Sequence, residues 1–440
     1  MLVTTDRELR EECGRAAGEF AQGLLASVVD APSVERADEW MRKHGSALLR
    51  RMLGLALMLR AEKRRTQGRC ACGQALEFRQ HRPFTLHTVL PGRDVPVSLP
   101  YCTCRHCRTG SLPLVEELGA DREGFSPALR EMGLLAAVRD PFDQAENETL
   151  AKFAGVQVSH DKLHRLVEEH AAPAQQAMST MPEVPPGDQP IYLGIDGGMA
   201  FVDKAWHEVK LAVLFAGEDY VRKDSPRADA GRGFITARHV VRVRGGPDEL
   251  RARLTPLATQ VAASGRRVVA LGDGAPWIWS LVEELFPGCT QILDWFHVDE
   301  HIAAAARVLY GENTEEAARW RAVQLERLAH DGVDHVLEAL EIQRKRLRKA
   351  ATREAARSLR HYLVTNRGRL RYGTFKAQGL RIGSGFIESA VNHVMQQRMK
   401  RPGMRWKAAG ADAMIALRCV YRTTGGWDRM LAHAKSRGTG

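Results

Sequence analysis

Between residues 191 and 300 the order of apolar segments leaves few folds open. "IYLGIDG", "HEVKLAVLFAG" and "FITARHVVRV" are strand-like and follow one another with no helix between them, as antiparallel neighbours do. "PDELRARLTPLATQVAASG" then has a helical period, "RRVVALGDG" reads as a buried strand, "PWIWSLVEELFPG" as a second helix and "TQILDWFHV" as a fifth strand. From "DEHIAAAARVLYG" to about residue 365 the pattern is helical. "GSGFIESAVNHVMQQRMK" is a further helix, capped by Ser384 or its neighbour, with Ile387, Val391, Val394 and Met395 in one stripe.

Two of the strands end alike. "YLGIDGG" and "VVALGDG" each place one aspartate, Asp196 and Asp273, at the mouth of an apolar run with glycine beside it. Asp-Gly is ordinary turn chemistry, but two copies suit paired ligands for a divalent cation. Three strands, helix, strand, helix, strand and a late helix is the order of an RNase H-like domain, in which the first and fourth strands are adjacent. That would bring Asp196 and Asp273 together across 77 residues of sequence. Glu388, opening the late helix, is the natural third acid. Three oxygen donors suit Mg²⁺ or Mn²⁺. Gly197 and Gly274 are expected to leave room for the ion and a phosphate. Asp299 is a competing acid and Asp203 a poorer one. Gly383 and Gly385 around Ser384 imitate a nucleophile loop, but no strand precedes that turn.

Upstream, residues 1–66 read as helices that pack or dimerise. Residues 67–118 hold five of the eight cysteines. "CAC" and "CTCRHC" flank an apparent hairpin turning at "PGRD", the plan of a zinc-ribbon-like module. Its Zn²⁺ would be held by Cys70, Cys72, Cys104 and Cys107, with Cys102 a possible substitute. The one-residue gap between Cys70 and Cys72 is tighter than the usual two. Residues 119–180 read as short helices, and the "AGVQVS" turn resembles a helix-turn-helix corner in a DNA-binding bundle. "MPEVPPGDQP" is then a linker, and a new domain begins near 188. The expectation is a multidomain α/β protein: a catalytic domain of residues 188–300 and 380–440, interrupted by a helical basic insertion at 301–379.

Charge points to the partner. Residues 341–376 carry twelve Lys or Arg against two acids, and "RMKRPGMRWK" adds five more with none. A solvated helix face mixes signs; clusters this one-sided suit a polyanion, most simply DNA. Arg344, Lys345, Arg346, Arg348, Lys349, Arg398, Lys400, Arg401 and Arg405 are the expected contacts. A membrane surface fits less well, since the basic helix lacks a wide aromatic face. There is no run of 18 apolar residues, and the charged N-terminus is unlike a signal peptide, so the bacterial cytoplasm, near the nucleoid, is the expected place.

The chain resembles the ISKra family of bacterial insertion-sequence transposases. The resemblance covers almost the whole length: the "CACG" to "YCTCRHC" ribbon, "YLGIDGG", "LGDGAPWIWSLVEELFPG", "ILDWFHVDEHI" and "RIGSGFIESAVNHVMQQRMKRPGMRW". It implies a DDE transposase with an RNase H-like fold and a helical insertion before the glutamate, hence a triad of Asp196, Asp273 and Glu388. It implies double-stranded DNA as substrate, at transposon ends and target, and a dimer or larger homo-oligomer. "DWFH" looks like the Asp-x-x-His signature of several such superfamilies, which puts Asp294 and His297 near the site. An RNase H-like nuclease that cuts without joining, or a non-catalytic DNA-binding protein on the same scaffold, are the alternatives. Only the enzymes explain three intact carboxylates.

Overall fold

The computed structural model describes residues 3–29, 33–65, 68–92, 94–181, 184, 187–222 and 233–437. The protein is mixed α/β and mostly helical. It divides into two compact units, residues 1–167 and 168–440. No helix among the described residues is long and apolar enough to cross a membrane.

In the first unit, helices Asp6–Leu24 and Val34–Lys63 lead into an antiparallel sheet of β1 (Leu76–His87), β2 (Asp94–Cys104) and β3 (Gly110–Ser111). Thr5 opens the first helix with a capping box to Glu8. Leu55, Met58 and Leu59 of the second helix share a core with Val95, Val97 and Leu99 of β2. Arg93, within the expected hairpin turn, lies outside the described residues, as does part of the expected linker, residues 182–183 and 185–186. Helices Pro127–Arg139, Ala145–Ala154 and His160–Glu169 follow, near the expected positions. The "AGVQVS" corner begins with Gly155 at φ 68°, a left-handed turn that glycine adopts without strain.

The second unit is built on β4 (Ile191–Val202), β5 (Ala205–Ala216), a small ribbon of β6 (Tyr220–Arg222) and β7 (Gly233–Ile235), then β8 (His239–Arg244), β9 (Val268–Gly272) and β10 (Thr290–Leu293). The main sheet has the order β10-β9-β4-β5-β8. β4, β5 and β8 pair antiparallel, whereas β9 and β10 join parallel. The adjacency expected of the first and fourth long strands is therefore present. β4 and β5 form one hairpin whose two turn residues, Asp203 and Lys204, both have positive φ, the geometry that matches strand twist. Asp203 thus sits at a hairpin tip.

Helices cover both faces. A Cβ on Gly272 would meet Ile278 and Trp279 of the Pro276–Leu285 helix; one on Gly194 would meet Phe386 and Ile387 of the Gly385–Val391 helix. Burial on both sides explains why β5 is apolar without alternation from Leu211 to Ala216.

One expected boundary is wrong. The fifth strand stops at Leu293; Asp294 caps a helix, Trp295–Tyr310, and "WFH" is its first turn. The apolar run hid the change of period, but aspartate accepting from the amide three residues on is a helix start. Helices Glu315–Ala329, Val333–Arg346 and Ala350–Thr365 come next. The chain is then pinned back where it left: Trp295 N–H donates to the Ile382 carbonyl at 2.9 Å, and the Tyr372 hydroxyl donates to the Leu293 carbonyl at 2.9 Å.

Candidate functional site

Sheet register places the two aspartates. β4 and β9 pair from Ile191 with Val268 to Gly194 with Leu271. The pairing stops two residues before Asp196 and Asp273, so both lie at the mouths of neighbouring strands, which run about 4.8 Å apart, and Asp196 feels the charge of Asp273. The Asp196 carboxylate accepts from the Gly197 amide at 2.6 Å. Asp273 leaves the strand in a turn, its side chain accepting from the Ala275 amide at 2.9 Å and its carbonyl from the Tyr362 hydroxyl at 3.0 Å. Tyr362, stacked on His301 with ring centroids 3.9 Å apart, is a supporting residue that sequence reading missed. It lies 89 residues away on the helical insertion.

Glycine also places the third acid. Gly194, Asp196 and Gly198 alternate along β4 and so share a face. A Cβ on Gly194 would lie 2.4 Å from the Phe386 ring, and one on Gly198 3.3 Å from Val391. The missing side chains let the late helix lie on the strand, with Asp196 between the two contacts and Glu388 above. The expectation about Gly197 is corrected: its Cβ position faces Glu208, on the other side of the sheet. Gly274 is required for its φ of 102° and its packing against Leu293 and Tyr362.

Asp294 is wholly buried. One oxygen accepts from the Ser384 amide at 2.6 Å; the other accepts from the His297 amide at 3.0 Å and pairs with His297 Nδ1 at 2.8 Å. The Ser384 hydroxyl donates to Glu388 at 3.2 Å. One buried carboxylate therefore fixes both the histidine and the start of the glutamate helix.

Donor atoms of Asp294, His297 and Glu388 lie within 4.8 Å of one another. Neither Asp196 nor Asp273 belongs to that tightest group. With both oxygens of Asp294 engaged and none of it exposed, we read it as the group that orients His297 rather than as a ligand. Burial opposes its charge, but hydrogen bonds from His297 and the Ser384 amide hold its carboxyl below the ordinary range. His297 is raised to about 9, first by that hydrogen bond, so it carries its proton at neutral pH. Asp196 is pushed up: by burial foremost, then by Asp273 and Glu388, against the Gly197 amide and His297. Asp196 thus feels the charge of two neighbouring carboxylates, as a cation ligand does; Glu388 itself is exposed. Asp299 is elsewhere engaged, in a paired contact with Arg321 at 2.6 Å.

The four expected cysteines in the first unit also converge. Cys70, Cys72, Cys104 and Cys107 hold their sulfurs within 4.8 Å of one another, with Cys70 and Cys107 3.2 Å apart and Cys72 and Cys104 3.6 Å apart. Tight turns present them: Gly73 at φ 85° behind the first pair and Arg108 at φ 59° behind the second. Cys102 stands outside the group, buried, its thiol directed to the Arg65 carbonyl at 3.7 Å. The Cys72 amide lowers Cys70, yet Cys107 and burial push it to about 12; Cys107 is drawn down to about 6, first by Thr109. A metal ion could be held by this group.

The cations divide. Arg344, Lys345, Arg348, Lys349, Lys400 and Arg405 are exposed and Arg401 half-exposed; the Arg346 side chain lies outside the described residues. Arg344 is paired with Glu341 at 2.8 Å. Arg398 is corrected: it has no exposed surface, sits 5.0 Å from the centre of the Trp406 ring and reaches Met404 Sδ at 3.7 Å. It is a core cation and has no route to a phosphate.

The pattern of an uncharacterised protein family (UPF0236) matches residues 77–435. No curated protein matches the chain.

Proposed function

The chain belongs to the uncharacterised protein family UPF0236, and from that premise we propose that it is a DNA transposase of a bacterial insertion sequence, cutting and joining strands by metal-dependent phosphoryl transfer. The observation that carries the reading is the β4–β9 pairing, which stops two residues short of Asp196 and Asp273 and so supports their meeting at neighbouring strand mouths, on the face covered by the Glu388 helix. The strand order, three antiparallel then two parallel, supports an RNase H-like domain with the helices of residues 295–379 as its insertion.

The donor set fits Mg²⁺ or Mn²⁺: three carboxylates, one of them raised by burial and by the other two. When bound, such ions supply charge for the scissile phosphate and acidity for the attacking water or 3′-hydroxyl. Asp196, Asp273 and Glu388 would hold them. Asp294 holds His297 Nδ1, which leaves Nε2 of a protonated ring to donate to an anionic oxygen. The exposed cations on and after the Val333–Arg346 helix would track the DNA backbone.

The sulfur cluster fits Zn²⁺. Tetrahedral thiolates about 2.3 Å from zinc lie about 3.8 Å apart, close to the 3.2 and 3.6 Å separations here. We expect about one zinc per chain in protein purified without a histidine tag. Cys104→Ser should lose most of it in metal analysis, and Cys102→Ser should keep it. Untagged protein with no zinc would remove the ribbon from the account.

The experiment for the whole reading is cleavage of duplex DNA carrying the sequences that flank the reading frame. Cutting should require Mg²⁺ or Mn²⁺ and stop with a chelator; no cutting with either metal would count against it.

A further inference from the structure

A cleft of about 1060 Å³ opens in the second unit. It runs beside the acids without including them. Phe296, the residue before His297, lines it, as do Phe386 and Ser389 from the helix that carries Glu388. Phe296 is 53% exposed, which leaves much of an aromatic ring open beside the polar centre. Its ring packs over Gly383, where a Cβ would come within 2.9 Å. The ring is therefore braced by backbone, with much of its surface left open.

The charge on the described lining of the cleft is of one sign: Arg238, Lys376, Arg381 and Arg422 lie there and, among the described residues, no acid does. Arg381 stacks on the Tyr220 ring; among the described residues Arg238, Lys376 and Arg422 have no carboxylate within ion-pair distance. Arg238 is held below the ordinary arginine range by burial and then by Arg422, so the two cations lie close enough to repel. An open aromatic ring beside unneutralised cations is how single-stranded nucleic acid is gripped: bases stack, phosphates pair. A duplex keeps its base faces covered and cannot offer one to Phe296.

We propose that this cleft binds an unpaired nucleotide of the DNA strand next to the cut, its base stacked on Phe296 and its phosphate held by Arg238, Lys376 and Arg422. This rests on the reading of the protein as a DNA-cutting enzyme. Base capture beside the acids would hold the strand end open while the phosphate is positioned.

The test is fluorescence anisotropy of the full-length protein with three probes: a short oligothymidine strand, an abasic sugar–phosphate strand of equal length, and a matched duplex. Phe296→Ala should weaken oligothymidine binding at least about fivefold, the scale of one lost base stack. It should change the abasic strand and duplex by less than about twofold, and Phe296→Tyr should restore the loss. Arg422→Gln should weaken both single strands alike. Equal affinity of Phe296→Ala and wild type for oligothymidine would overturn the proposal. So would oligoglutamate displacing that strand as well as unlabelled oligothymidine does, since the cleft would then be a general anion site. Duplex binding and cleavage with no single-strand effect would fault the cleft alone; failure to bind DNA in any form would fault the parent reading too.

Discussion

Asp196→Asn is expected to abolish metal-dependent strand cleavage, by at least about a thousandfold. That exceeds the roughly 10–100-fold losses typical when a group behind a metal ligand is altered. DNA affinity should stay within about twofold, because the cations that supply it lie on other elements. Stability should move the other way. Asp196 titrates above its ordinary value in the folded chain, so it binds its proton more tightly folded than unfolded. Its ionisation then weakens the metal-free fold as pH rises from the unfolded value, about 3.9, through the folded one. Above the folded value that penalty is present in full, and asparagine removes it. The metal-free variant should melt higher than wild type. Added Mn²⁺ should raise the melting temperature of wild type and leave the variant little changed. A variant that cuts at wild-type rate would displace Asp196 from the centre of the site.

Much of this site is legible in sequence, for a local reason. An aspartate ending an apolar run and followed by glycine marks a strand mouth, and strand order then says which mouths meet. The order of "IYLGIDG", "HEVKLAVLFAG" and "RRVVALGDG" was enough to pair β4 with β9. The supports are less legible, because they come from far along the chain. Tyr362 reaches Asp273 from the insertion, and Ser384 reaches Asp294 across 90 residues; no local period marks either. Gly194 looks like strand dilution until the helix that needs its missing side chain lies on it. Composition misled once: Arg398 sits among Lys400, Arg401 and Arg405, but helical geometry turns it inward onto Trp406. "ILDWFHV" is apolar enough to pass for a strand, although a capping aspartate followed by His297 is equally a helix start.

Replacing Lys345, Arg348 and Lys349 together with glutamine should weaken binding to all duplexes alike. The slope of log affinity against log salt should flatten by up to about 2.7, from three phosphates at about 0.9 each. These three are exposed, and among the described residues none is in an ion pair, although Lys345 lies close enough to Glu341 to lower its carboxyl. By contrast Arg357 and Arg367 are already paired with Glu354 and Asp334, so their removal should matter less. Because backbone contacts position a protein without reading sequence, the loss should be similar on flanking and unrelated DNA. An unchanged salt slope would mean that this surface faces solvent, and the DNA path would have to be sought elsewhere.

We propose that Asp196, Asp273 and Glu388 present a divalent metal to a DNA phosphate, and replacing one non-bridging oxygen of the scissile phosphate with sulfur tests this when metals are compared. Mg²⁺ prefers oxygen ligands and tolerates sulfur poorly, whereas Mn²⁺ accepts it better. Cleavage of the sulfur-bearing strand should collapse with Mg²⁺ and recover with Mn²⁺, while the unmodified strand is cut with both. Equal cutting of both strands in Mg²⁺, or cutting that persists in chelator, would contradict the claim.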